Sequence, residues 1–201
     1  LCHMWDKHGM WEGKNPEDTI TFDGAKFAGI EEMREGILTR GVLLDIPRYR
    51  GTDCVDLDSP VHGWELQEVV EAQNVKLTPG DAVLIYSGRE AYEKTVGYYG
   101  GLIDENTRYP GLHASCLPFF HDNDVSVLLW DMEDLAPNEY GIPWAVHGAI
   151  HSLGLAMVDA VVLNELAAEC AKENRYDFML TVNPLILNGG TGSPVNPVAI
   201  M

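Results

Sequence analysis

His147, His151 and Asp159 are the residues of this chain whose types and spacing best suit chemistry. The two histidines lie four apart in Trp144–Ala145–Val146–His147–Gly148–Ala149–Ile150–His151. On a helix such residues share one face, so both imidazoles would point into one cavity. Asp159 follows the apolar run 155–158, which would carry a carboxylate inward, where it is costly unless paired or metal-bound. Neutral imidazole and carboxylate suit Zn²⁺ or Mn²⁺, and an ion with open positions can activate water. Two ligands do not fix a catalytic ion, so further donors must come from elsewhere. The plainer reading makes His147 and His151 satisfied core histidines and Asp159 a helix cap.

Other stock motifs fail. Gly148 stands where a zincin helix needs glutamate, so this is no metalloprotease HExxH. No GxSxG elbow surrounds a serine. The turn Gly189–Gly190–Thr191–Gly192 lacks the lysine of a P-loop and the spacing of GxGxxG. It reads as a tight strand-joining turn rather than a phosphate cradle. Without a dinucleotide fingerprint, oxidoreduction with a bound nucleotide finds no support.

The 201 residues carry a formal net charge of −18, which repels nucleic acid and anionic membrane surfaces alike. No apolar run approaches the roughly 20 residues needed to span a bilayer. Cys2, Cys54, Cys116 and Cys170 are scattered without a CxxC pair, which favours free thiols in a reducing, cytoplasmic setting. The chain begins in mid-pattern at Leu1, and an amino-terminal segment is expected ahead of it.

The elements that must position these residues alternate between strand and helix over one α/β domain spanning residues 1–201. Residues 1–29 read as irregular structure, 30–38 as a short helix and 41–47 as a buried strand ended by Pro47. A loop fills 48–63 and an amphipathic helix 64–74. Residues 78–81 form a turn, 82–87 a second strand, 97–111 a glycine-rich mobile loop. A helix follows over 112–121, a third strand over 125–130, a helix around His147 and another over 163–174. Residues 178–187 and 195–200 read as strands flanking the glycine turn.

The tail Asn183–Pro184–Leu185–Ile186–Leu187–Asn188–Gly189–Gly190–Thr191–Gly192–Ser193–Pro194–Val195–Asn196–Pro197–Val198–Ala199 resembles the carboxyl-terminal signature of the cyclase family, which includes kynurenine formamidases and isatin hydrolases. Thr39–Arg40–Gly41–Val42–Leu43–Leu44–Asp45–Ile46–Pro47–Arg48, Thr78–Pro79–Gly80–Asp81 and Gly111–Leu112–His113–Ala114–Ser115–Cys116 agree with it in order. The resemblance implies a swivelling β/β/α fold, homodimers or homotetramers, and hydrolysis of an amide, lactam or related ester with a divalent metal, zinc or manganese. Of the family's motif H-x-G-T-H-x-D-x-x-x-H, only the end survives, in Leu1–Cys2–His3. His3 therefore takes the role of general base or proton shuttle, and the metal-binding His, His and Asp are expected ahead of Leu1. His147 and Asp159 keep the family's twelve-residue interval between a downstream His and Glu, with Asp replacing Glu.

Other residues carry weaker readings. His113 and Trp5 could contact substrate, and Trp5 with Trp11 could wall a planar ring or pack at an interface between copies. Asp131 and Glu133 end the third strand, at the edge of a pocket or in solvent. Cys2 and His3 are adjacent, and neighbours on an extended chain face opposite ways, which argues against a Cys–His dyad. The alternative to a hydrolase is a non-catalytic small-molecule-binding or oligomer-forming member of the same fold.

Overall fold

Side chains of a strand alternate between two faces, and in this protein both faces of the central strands are apolar, so both must be covered. The computed structural model describes residues 3–100, 108–142 and 144–201. α1 (Pro16–Thr19) leads into a small hairpin of β1 (Ile20–Thr21) and β2 (Gly24–Ala25). Then come β3 (Ile37–Asp45), α2 (Ile46–Arg50), α3 (Gly63–Ala72), β4 (Ala82–Tyr86), α4 (Arg89–Thr95) and α5 (Cys116–Asp122). β5 (Val127–Trp130), α6 (Ala149–Leu153), β6 (Ala156–Val158), α7 (Asn164–Glu173), β7 (Asp177–Pro184) and β8 (Val195–Ile200) complete the order.

Six strands form one sheet in the order β6-β5-β4-β3-β7-β8. The first four run parallel, while β7 and β8 are antiparallel to their neighbours. Val42, Leu44, Val83, Ile85, Leu128 and Trp130 face one core, shared with α3 and α5. Leu43, Ala82, Leu84, Val127 and Leu129 face the other, shared with α7 and β7. Near-continuous apolar runs are what a parallel sheet buried on both faces requires.

Several boundaries differ from the sequence expectation. Residues 30–38 form only a 3₁₀ turn, Ile30–Met33. Gly36 is left-handed at φ 71°, and Ile37 already pairs with Val182. Pro47 opens a helix instead of merely ending a strand, because Asp45 accepts the Arg48 N–H at 3.0 Å and proline suits the first helical turn. The loop expected at 48–63 therefore starts later. The helix expected over 112–121 begins only at Cys116. Ahead of it, the Leu112 and His113 N–H groups bond to the carbonyls of Glu133 and Val61. Of the glycine-rich loop at 97–111, residues 101–107 lie outside the described set. Among the described residues, no helix is long and apolar enough to cross a membrane, and Cys54, Cys116 and Cys170 are free thiols.

Asp131, directly after β5, ties that strand to the start of α4. Its carboxylate accepts the N–H groups of Ser87 (2.8 Å), Gly88 (3.0 Å), Arg89 (3.1 Å) and Met132 (2.9 Å). Burial pushes its pKa up to about 6, against the pull of those donors. It is neither a pocket group nor solvated. Asp131→Ala leaves buried N–H groups without acceptors and should cost about 2–4 kcal/mol in denaturant unfolding. A loss under about 0.5 kcal/mol would show that this carboxylate organises nothing.

Candidate functional site

The parallel strands β5 and β6 end side by side, and the loops at their carboxyl ends bring the acidic and imidazole groups together, as open α/β sheets do. Asp159 is the first residue after β6 and Asp134 lies in the loop after β5. His147 does not sit on a helix with His151. It belongs to a turn, and α6 starts only at Ala149. The physical reason is a long-range acceptor: Asp134 Oδ1 takes the N–H of Val146 at 2.5 Å and that of His147 at 3.3 Å. His151 rides on α6, half-buried, outside the cavity described below.

Asp134 also sets the ring. Its Oδ2 lies 2.5 Å from His147 Nδ1, with Asp134 3% and His147 6% exposed. Trp130 and Trp144 flank the imidazole at centroid distances of 5.2 and 5.1 Å. The other ring nitrogen, Nε2, points at Asp159 Oδ2, 3.4 Å away. Asp159 is held from behind, because Trp130 Nε1–H donates to its Oδ1 at 2.6 Å. Its side chain is 42% exposed, so the carboxylate sits at an opening rather than in the core, and α7 has no side-chain cap from it. Burial opposes a charge on His147, yet hydrogen bonds to Asp134 and Asp159 outweigh it and push the pKa up to about 10. Burial likewise raises Asp159, but the hydrogen bond and charge of His147 outweigh it and leave the pKa lowered.

His3 completes the group. Partial burial lowers its pKa, as does repulsion from His147, against attraction by Asp159 and a hydrogen bond to the Thr191 backbone. His3 and Asp159 line one cavity of about 680 Å³ together with Ile150, Val161, Thr191 and Val195. Strands from opposite ends of the sheet, β6 and β8, both line it, so the sheet curls around this space. Cys2 lies outside the described residues.

The glycine turn contributes Thr191, Gly192 and Ser193 to the cavity lining and joins β7 to β8. Gly189 N–H donates to the Glu31 carboxylate at 3.0 Å, and Gly190 C=O accepts the Ile30 N–H at 2.8 Å. Gly24 and Gly189 touch, so a Cβ on Gly24 would stand 2.7 Å from Gly189 Cα. Small residues at both positions are what allow this loop to close.

The structure does not bring His113 or Trp5 to this cavity. His113 bonds to Ser115 Oγ (2.9 Å) and Glu139 (2.8 Å), and its ring packs 4.5 Å from His62. Trp5 is 48% exposed, and Trp11 packs under Gly154 next to α6. Glu133 lines a separate cavity of about 230 Å³ with Arg89, Tyr99 and Trp144; burial, then repulsion from Asp159, raises its pKa.

Sequence reasoning missed Asp134 and Trp130. The only local signal was the acidic run Asp131–Met132–Glu133–Asp134 directly after an apolar strand, where the third acid proves to be the one aimed at His147. Asp134→Ala should lower stability by about 2–4 kcal/mol, since it strands two backbone N–H groups and the imidazole Nδ1. Asp134→Asn, which keeps one acceptor, should lose less. Equal stability of all three proteins in thermal unfolding would contradict the anchoring role.

The Cyclase family model matches residues 7–137, more than half of the chain. A crystal structure described as a novel cyclase superposes with a TM-score of 0.83 at 27% identity, over 100% of this chain and 67% of that one. An isatin hydrolase bound to the product analogue thioisatinate gives a TM-score of 0.57 at 16% identity, over 81% of this chain and 59% of that one. Isatin hydrolase A from Labrenzia aggregata, bound to benzyl benzoate, gives 0.62 at 16%, over 85% and 64%. This chain thus spans about two thirds or less of the length of these proteins. No curated protein matches it. The α/β architecture expected from the tail and its companion segments is the cyclase-like fold, and the chain belongs to the cyclase family.

Proposed function

We propose that this protein is a metal-dependent hydrolase that opens a cyclic or formyl amide, or a related ester. One observation carries this reading: His147 Nε2 faces Asp159 Oδ2 at 3.4 Å, with each group held from behind by Asp134 or Trp130. A carboxylate on the far ring nitrogen is the usual partner of a metal-binding histidine. Two donors about 2.0–2.1 Å from a tetrahedral ion stand about 3.3–3.4 Å apart, so the pair fits zinc, with manganese the other candidate. Among the described residues no cluster of three or more metal-binding side chains occurs. A catalytic ion would need further donors beyond this pair.

A divalent ion at this place would supply Lewis-acid activation of water and of the carbonyl. The protein's own groups do the rest. Asp134 keeps His147 Nδ1 engaged and leaves Nε2 toward Asp159, where it could hold the ion, and Trp130 fixes the rotation of Asp159. His3, on the same cavity, accepts the proton of the attacking water and returns it to the leaving nitrogen, a contribution typically worth about 10²–10⁴-fold. An isatin hydrolase among the similar folds supports this chemistry. So does a structure described as a potential metal-dependent hydrolase with cyclase activity, at a TM-score of 0.53 and 14% identity. Homodimeric or homotetrameric assembly and a cytoplasmic setting belong to the same proposal.

Metal analysis and hydrolysis of N-formylkynurenine and isatin by the full gene-encoded chain test it. His147→Ala and Asp159→Ala should each lose most of the bound metal. His3→Ala should keep the metal and lose about 100-fold or more in kcat. A full chain that binds metal but turns over neither substrate nor a related lactam or ester would favour the binding-only member of the fold. Unchanged metal content in both ligand variants would remove the proposed centre.

A further inference from the structure

The antiparallel end of the sheet has one apolar face turned outward. Pairing sets Arg40, Met179 and Ile200 in one row across β3, β7 and β8, and Leu38, Thr181 and Val198 in the next. Cross-strand partners share a face. Farther along β3 the same face is packed, since Val42 and Leu44 belong to the core shared with α3 and α5. Among the described residues, that core takes no side chain from β7 or β8. Leu38 is 69% exposed, Met179 46%, Val198 43% and Ile200 50%, whereas Leu180 and Val182, on the opposite face of β7, are buried. Leu38, Met179 and Ile200 line one groove with Arg40, Arg175 and Asp177.

We propose that a second copy of this chain docks on this face, which gives the homo-oligomer proposed above its contact surface. A contiguous apolar patch on a surface marks a place of contact. The charges point to a copy of the same chain. At −18 overall, two copies repel each other across most of their surfaces. A two-fold contact sets a patch against itself, so charges on its rim are satisfied only if both signs lie within that patch. Arg175 is exposed, and Asp177 is 43% exposed with its nearest cation, Arg40, 3.7 Å away. Both signs are therefore present beside the apolar rows. The outer edge of β8 is a poorer route to association. Pro197, opposite Val182, has no N–H to offer a further strand, a feature that keeps edge strands from pairing. The contact also leaves the His3–Asp159 cavity free, because Ile37, Val182 and Val195 line that cavity from the other face of the same strands.

Light scattering on the full gene-encoded chain tests this. The unaltered protein should have two or four times the chain mass. Met179→Glu and Ile200→Glu, each placing a carboxylate among the apolar rows, should halve that mass while the chain keeps the circular dichroism of the folded protein. Val198→Glu, in the neighbouring row, carries the same expectation where Ile200→Glu does not fold. Val96→Glu, at the end of α4 and 67% exposed, should leave the mass as it is. A folded Met179→Glu or Ile200→Glu chain of unaltered mass overturns the proposed face, as does dissociation by Val96→Glu to the same extent. A monomeric unaltered chain overturns the face and the assembly reading together. The hydrolase reading is judged apart from these outcomes, by its own metal and turnover assays.

Discussion

The carboxylate of Asp134 is the constraint on which the rest of this site depends. It is buried, and it takes two backbone N–H groups and one imidazole nitrogen at once. Those bonds hold the 144–148 turn against the end of β5 and leave one nitrogen of His147 facing outward. The flanking tryptophans give the ring contact but no polar direction, so the short bond from Asp134 to Nδ1 sets which nitrogen turns toward Asp159. Asp159 is treated alike by the Trp130 indole. The centre therefore consists of two potential ligands whose facing atoms meet at 3.4 Å, each oriented by a neighbour that belongs to β5 or its loop.

The sheet explains why these neighbours lie where they do. Parallel pairing of β5 with β6 sets Leu129 opposite Val158, so the residues that follow each strand emerge together at one end. The antiparallel pair β7–β8 extends the sheet beyond β3, and its curl brings Val182 and Val195 to the cavity that Asp159 opens into. The chain between β7 and β8 can cover that cavity because Gly24 and Gly189 meet without side chains.

Much of the frame was legible in the sequence. Continuous apolar runs at 82–87 and 125–130 became central strands, and 195–200 became β8, since local pattern and tertiary demand agree there. The twelve-residue interval joining His147 to Asp159 also meant proximity. What was not legible depended on distant partners. A helix through His147 is locally reasonable, but Asp134, thirteen residues earlier, claims the N–H groups of Val146 and His147 and delays the helix. Leu112 and His113 look helical, yet Val61 and Glu133 bond them into extended chain. Nothing in the local pattern marks Ser115 and Glu139 as the partners of the two ring nitrogens of His113. Hydrogen bonds between segments far apart in sequence leave no periodic trace.

The central claim is that His147 Nε2 and Asp159 Oδ2 share a divalent ion. Its most direct measurement is anomalous X-ray diffraction from crystals of the full chain loaded with zinc. An anomalous peak should lie between these two atoms, within about 2.0–2.2 Å of each, with Asp134 still on Nδ1. A metal found elsewhere, with His147 Nε2 still hydrogen-bonded directly to Asp159, would contradict it.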